Sequence, residues 1–196
     1  MVWQRTHEAQ RTVAMRVSAQ AMGFTFAEQV PEPPGASLPL FQCGHGRRTR
    51  NVMSGTTAGR PVHVLDYAYV TGGGKSQHVW QQTVALFEGV QGLPEFELAP
   101  ENILHKIGEL FGYQDIDFDA APEFSRHYLL RGPNEPAIRA AFSADALALL
   151  GQEPGWSVQA RDGWLAVYRH GRRCPPTDVP ALLADCLRVA GAFGRS

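Results

Sequence analysis

Residues 47–98 contain several β-like segments joined by connections too short to hold a helix. The first two segments flank the turn Thr57-Ala58-Gly59, and the glycine-rich stretch 71–76 separates the second from the third. The predicted strands are residues 47–54, 60–70, 77–87 and 93–98. Because parallel neighbours need a crossover of about a dozen residues, these strands must pair antiparallel. The sequence therefore predicts a β-meander over residues 47–98.

Helical patterns lie on both sides of this meander. Residues 3–22 predict an N-terminal helix, because apolar side chains recur four residues apart and Gly23 follows them. Residues 100–193 predict a mixture: a helix over the apolar stripe 103–111, a strand at 126–131, helices capped by Asn134 and Ser143, a hairpin turning at Asp162-Gly163, and a last helix capped by Thr177. This order predicts the α+β class, with N-terminal, middle and C-terminal helices packed on an antiparallel sheet in a single domain over residues 1–196.

The composition excludes some classes of function. The chain has 18 basic and 19 acidic residues and a net charge of -1, whereas nucleic-acid binders usually carry a basic excess, so no nucleic acid is expected. No apolar run is long enough to predict a membrane span. The 3 cysteines form no disulfide pattern, which favours reduced thiols and a cytoplasmic location. No cofactor signature is present, and none is expected.

The glycine-rich stretch ends in the sequence Gly-Lys-Ser, as a phosphate-binding P-loop does. In that motif a further glycine stands where this chain has Tyr69, and a helix follows where this chain predicts a strand. The pattern therefore favours a hairpin tip that exposes Lys75, which is a weak candidate for binding an anionic ligand.

Several long stretches resemble one bacterial family. They are GHGRRTRNVMSGTTAGRPVHVLDYAYVTGGGKS, QTVALF, LPEFELAPENILHKIG, QDIDFDAAPEFSRHYLL and WSVQARDGWLAVYR. Over about residues 4–193, the chain is similar to a group of uncharacterised, mainly actinobacterial proteins and to a wider bacterial domain of unknown function. The resemblance implies a fold and no catalytic or ligand-binding residue. Many relatives carry transmembrane helices before the domain; this chain begins at its first helix, so we expect no anchor.

Asp66 interrupts an apolar face of the second predicted strand. Alternation places it beside Val62, Val64, Ala68 and Val70. A buried acid must be paired or hydrogen-bonded, or its pKa rises. If the hairpin pairs around Gly73, His78 shares this face. An Asp66–His78 pair is then either a buried structural pair or an acid–base pair of a small enzyme, and the first interpretation is favoured.

Two short ligand pairs raise the possibility of zinc. Cys43 and His45 form one pair, and His170 and Cys174 form the other. Together they supply the four ligands of a structural zinc site, yet their spacings differ from the common patterns. Metal binding is therefore not expected, and these residues are weak candidates.

Arginines cluster at two places in the sequence. Arg47, Arg48 and Arg50 lie at the start of the meander, and Arg172 and Arg173 follow the late hairpin. If the clusters converge, they form an anion-binding face; otherwise they are solvated surface charges.

These observations favour a non-catalytic accessory or binding domain that contacts a protein partner or a small anionic ligand. The alternative is a small enzyme that uses Asp66 and His78. A weaker third hypothesis is peripheral membrane association through the first helix. The partner and the oligomeric state are left open by the sequence.

Overall fold

The computed structural model describes residues 2–101, 103 and 114–193. Six helices and eight strands lie in this part of the chain. The helices are α1 (Val2–Ala21), α2 (Pro39–Gln42), α3 (Pro122–His127), α4 (Glu135–Ala141), α5 (Ala144–Gln152) and α6 (Val179–Gly191). The strands are β1 (Thr25–Val30), β2 (His45–Thr57), β3 (Arg60–Thr71), β4 (His78–Glu88), β5 (Phe96–Pro100), β6 (Tyr128–Arg131), β7 (Ser157–Arg161) and β8 (Trp164–Tyr168). The α+β class is confirmed.

All eight strands form one antiparallel sheet in the order β1-β2-β3-β4-β8-β7-β5-β6. β2, β3 and β4 are neighbours, as predicted, but β5 does not continue the meander. The β7–β8 hairpin lies between β4 and β5. Seven residues connect Glu88 to Phe96. This length is enough to cross β8 and β7, which lie between β4 and β5, because neighbouring strands are about 4.8 Å apart.

The two faces of the sheet carry separate apolar cores. On the helical face, α1 and α6 pack against the sheet through a large cluster that includes Met15, Val64, Val167 and Leu183. On the loop face, α2 and its flanking loops cover a smaller cluster rich in aromatic residues, namely Leu38, Leu40, Phe41, Val52, Leu65, Tyr67, Tyr69, Val84, Leu86, Ala166 and Tyr168. The odd-numbered residues of the central part of β3 point to the loop face and the even-numbered ones to the helical face.

Local sequence patterns predicted the start of two helices correctly. The side chain of Asn134 accepts a hydrogen bond from Ala137 N at the start of α4, and that of Ser143 accepts one from Ala146 N at the start of α5, which confirms both caps. Thr177 is not a cap, because a 3₁₀ turn over Pro176–Asp178 precedes α6 and makes Asp178 the N-cap residue.

Other local predictions need correction or fall outside the described residues. The first two residues of the predicted strand at 126–131 end α3, which Pro122 starts, and the strand begins at Tyr128. The predicted helix over 103–111 lies almost wholly outside the described residues.

Candidate functional site

Asp66 lies near the middle of β3 and is 6% exposed. It points to the helical face opposite Thr83 of β4 and Arg50 of β2. The register of β2 shifts after Arg50, so that Asn51 and Val52 oppose a single residue of β3. Asn51 has a positive φ of 53° and is fully buried. The bulge directs the Asn51 side chain towards the Asp66 carboxylate.

The Asp66 carboxylate is enclosed by donors from three elements. Arg11 of α1 donates from Nε to Oδ2 over 2.8 Å and from Nη2 to Oδ1 over 2.7 Å. Asn51 Nδ2 donates to Oδ2 over 2.8 Å, and the Thr83 hydroxyl donates to Oδ1 over 2.9 Å. Burial alone raises the pKa of Asp66, but the bonds from Arg11 and Asn51 outweigh it and hold the pKa below its ordinary value. The carboxylate therefore stays ionised and is a poor proton acceptor.

A second arginine extends this network to the loop after β8. Arg173 makes two bonds to Glu8 of α1, from Nη1 over 2.6 Å and from Nη2 over 3.0 Å. Its Nη2 also lies 3.4 Å from Asp66 Oδ2. The Thr83 hydroxyl accepts a bond of 2.9 Å from Cys174 N. The network thus connects α1, the sheet and the 172–174 loop, and its contacts hold these elements together in the fold.

His78 does not reach Asp66. Asp66 pairs with Thr83, whereas a turn centred on Gly73 would pair it with Trp80. The shift is three residues, because the hairpin tip contains a 3₁₀ turn over Gly74–Ser76. An odd shift moves every side chain to the other face. His78 therefore lies opposite Thr71, on the other face of the sheet from Asp66. The centroid of its ring is 4.1 Å from the centroid of the Trp80 ring.

The four candidate zinc ligands are also dispersed. Cys43 packs with the loop-face core, while Cys174 packs with the helical-face core. The His45 ring contacts Gly72 O, and the His170 ring packs beside Trp80. Within the described ranges, no group of three or more His, Cys, Asp or Glu residues is arranged to hold a metal ion.

The two arginine clusters meet only through Arg50, which lies opposite Asp66 on the helical face, where Arg173 also contacts Asp66. Arg173 belongs to the helical face, and Arg172 is exposed in the same loop. Lys75 is exposed at the β3–β4 hairpin tip. Arg47 instead lies at the loop face, where its Nε donates to Cys43 O over 3.1 Å and its Nη2 donates to Gln42 O. The candidate anion ligands thus separate into distinct surfaces.

Arg47 and Arg48 line a cavity of about 260 Å³ at the loop face. The end of β1, the loop after it, α2 and β2 form its walls, and Tyr67 of β3 also lines it. Tyr67 is 2% exposed, and its hydroxyl has no hydrogen-bond partner among the described residues. Sequence reasoning missed Tyr67, since a tyrosine in a buried strand carries no signal beyond its contribution to the core.

Sequence reasoning also missed a serine–histidine contact on β2 and β3. Ser54 Oγ lies 2.7 Å from His63 Nδ1, because the two residues are directly opposite in the sheet. Burial lowers the pKa of His63, and Glu88 opposes this effect. The carboxylate of Glu88 is 3.9 Å from His63 Nε2, too far for a hydrogen bond. The third group that would orient a catalytic imidazole is therefore not engaged.

Comparison with known proteins gives a similar fold. No protein-family model matches the chain, and no curated protein matches it. A crystal structure of the mycobacterial trehalose monomycolate transport factor A, TtfA, is similar with a TM-score of 0.64 and 15% identity. The match covers 93% of this chain and 92% of that chain. The likeness shows a similar fold over nearly the whole chain.

None of the helices in the described ranges is both long and apolar enough to cross a membrane. The cytoplasmic location stays a prediction.

Proposed function

We propose that this protein is a non-catalytic accessory domain that binds a protein or an anionic ligand. The observation that carries the proposal is the closed network around Asp66. The residue that sequence reasoning ranked first for acid–base chemistry accepts bonds from Arg11, Asn51 and Thr83 and has a lowered pKa. An acid used in this way contributes to the fold, whereas a catalytic base needs a free lone pair facing a substrate.

Two further observations support a binding role. The cavity beside Arg47 and Tyr67 combines a cation with a buried polar group that has no partner in the described structure. Such a cavity is suited to holding a ligand. In addition, a protein of similar fold bears the name of a transport factor, and an accessory role agrees with that name.

The substitution Asp66→Asn tests the proposal. It keeps the size of the side chain and removes the charge that Arg11 and Arg173 face. We expect a loss of about 3 kcal/mol in the free energy of unfolding, because breaking a buried ion pair leaves a charge uncompensated. Urea unfolding followed by circular dichroism measures this loss. Asp119→Asn, the same change at an exposed position, is the matched control and should have little effect.

The same variants test whether the protein turns over what it binds. Ligands that raise the melting temperature in a screen of metabolites, nucleotides and lipid headgroups are recovered after incubation and analysed by mass spectrometry. We expect wild-type protein to return them chemically unchanged. Conversion of any ligand by the wild type, combined with its loss in a stably folded Asp66→Asn protein, would contradict the proposal.

A further inference from the structure

The loop-face cavity contains a positively charged group that is already held in place. The guanidinium of Arg47 donates to Cys43 O and Gln42 O, the last carbonyls around α2. Three of its five N–H groups stay available after these two bonds. An arginine fixed by backbone carbonyls loses less side-chain entropy when it binds an anion. Arg47 is therefore pre-organised as an anion donor.

Tyr67 supplies a second donor from inside the cavity wall. Its ring is fixed edge-on against Phe41 with centroids 4.8 Å apart, and the centroid of the Tyr69 ring lies 5.8 Å away. Its hydroxyl is buried without a partner in the described part of the chain. Burial raises the pKa of Tyr67, so the hydroxyl keeps its proton at neutral pH and can donate it. Leaving such a group unbonded is costly, which points to a ligand as its partner.

The size and charge of the cavity select the class of ligand. Its volume of about 260 Å³ lies just below the range of pockets that enclose drug-sized molecules, so the space inside it fits a small head group. The lining combines the Arg47 guanidinium with one acid, Glu32. Arg48 also lines the cavity, but it lies opposite Ala68, so its side chain is on the helical side of β2. A phosphate monoester carries close to two negative charges at neutral pH and accepts bonds from several directions, whereas a carboxylate is planar and singly charged.

We propose that this cavity binds a phosphate monoester group, with Arg47 and the Tyr67 hydroxyl as its donors. The proposal rests on the binding role proposed above and names the chemistry of its ligand. The group can belong to a soluble metabolite or to a lipid headgroup, since both present the same phosphate.

Tyr67→Phe is the central test, because it removes only the hydroxyl. Isothermal titration calorimetry with sn-glycerol 3-phosphate as the probe should show binding to the wild type and affinity about tenfold weaker for the variant, as expected for one lost bond to a charged group. The melting temperature of Tyr67→Phe should stay the same or rise, because the hydroxyl has no internal partner. Tyr69→Phe, at a tyrosine outside the cavity lining, should bind like the wild type.

Charge variants locate the site independently. Arg47→Leu should abolish binding, whereas Arg172→Leu, the same change on an exposed arginine elsewhere, should leave it unchanged. Glu32→Gln should strengthen binding, because it removes the acid from the cavity lining.

Vesicles distinguish the two sources of the phosphate. If the protein co-sediments with phosphatidylcholine vesicles that contain phosphatidic acid, and Tyr67→Phe loses this binding, the ligand is a lipid headgroup. If the protein binds glycerol 3-phosphate but does not co-sediment with the vesicles, the ligand is a soluble metabolite. Equal affinity of wild type and Tyr67→Phe, or no binding of either probe to the wild type, overturns the phosphate site. If Asp66→Asn still behaves as predicted in that case, the non-catalytic role stands with a different partner.

Discussion

Glu97 is the described carboxyl group whose pKa rises most clearly towards neutrality. It lies on β5 between Gln159 of β7 and Arg131 of β6. Burial raises its pKa to about 7, an effect that Arg161 and Arg131 oppose and Glu95 reinforces. Its Oε1 is buried without a hydrogen-bond partner in the described part of the chain. The folded state therefore favours the protonated form of Glu97.

This preference makes stability depend on pH. The folded pKa of about 7 lies above the ordinary value of 4.5, so the contribution of Glu97 is fully present below 4.5 and is lost as the pH rises through 7. Glu97→Gln keeps the neutral shape at every pH. We expect it to raise the free energy of unfolding by about 1 to 2 kcal/mol at alkaline pH, less than the full linkage because the side chain is partly exposed.

Chemical unfolding of wild type and Glu97→Gln across this pH range measures the difference. Below the ordinary pKa the two proteins should have equal stability. A constant difference at all pH values would show that the titration of Glu97 is not its cause. Asp119→Asn, at an exposed position, provides a control for the general effect of removing one acid.

The sequence predicted the environment of a single residue where the evidence lay in its immediate neighbours along the chain. Alternation in β3 was enough to mark Asp66 as a buried acid that needs compensation. Its partners were not predictable, because Arg11 is separated from it by 55 residues and Arg173 by 107. The donor set depends on how α1 and the loop after β8 pack, and no short sequence pattern encodes that packing.

At the scale of elements, α1 is held to the sheet by two different kinds of contact. Met15 and Ala19 are fully buried in its C-terminal half. Glu8 and Arg11 make ion pairs with Arg173 and Asp66 in its N-terminal half. Apolar contacts thus secure one half of the helix and charged contacts the other.

Arg11→Leu should loosen α1 selectively. The substitution leaves Asp66 buried without its main counter-charge, and we expect faster amide exchange in the first half of α1 than in α6, because local opening requires only the charged contacts to break. Hydrogen–deuterium exchange with mass spectrometry measures both helices in one experiment. Arg16→Leu is the control, since Arg16 pairs with Glu28 at the surface and should protect little. Uniform acceleration in α1 and α6 would indicate global destabilisation instead.

The β3–β4 hairpin shows why the predicted proximity of His78 to Asp66 was wrong. The predicted bounds of the two strands lie within one residue of the observed bounds. The observed pairing between the strands, however, differs by three residues from the pairing expected for a turn centred on Gly73. Pairing depends on the geometry of the six-residue tip, where Gly72 has a positive φ of 72° and a 3₁₀ turn follows. Alternation within a strand gives its faces, but which residues of two strands lie opposite each other is decided by the turn.

At the scale of the whole molecule, the order of strands couples the two halves of the chain. β8 pairs with β4, and β7 pairs with β5, so the late hairpin joins the meander to the β5–β6 pair. The sequence indicated the α+β class and most strands because those depend on local periodicity. It did not indicate the insertion of β7–β8, since the insertion depends on pairings between residues that are 60 or more positions apart.

We therefore propose that the chain unfolds as one cooperative unit. Trp80 belongs to the meander, whereas Trp156 and Trp164 belong to the later half, so tryptophan fluorescence reports on both parts and far-ultraviolet circular dichroism reports on the secondary structure of the whole chain. Their urea transitions should have the same midpoint and the same slope. Separated midpoints would show that residues 47–98 fold independently of residues 100–193. In a variant that combines Trp156→Phe with Trp164→Phe, the remaining fluorescence comes from Trp3 and Trp80 and reports on the first half of the chain.

The inserted hairpin has a consequence for synthesis on the ribosome. β4 is complete at Glu88, but the strand that pairs with its free edge begins only at Trp164. At about 5 to 20 residues per second, that edge stays open for several seconds while the intervening chain is made. β5 waits likewise for β7. The nascent protein thus exposes unpaired strand edges until β7 and β8 have been translated, and it is during this interval that a chaperone would protect it from aggregation.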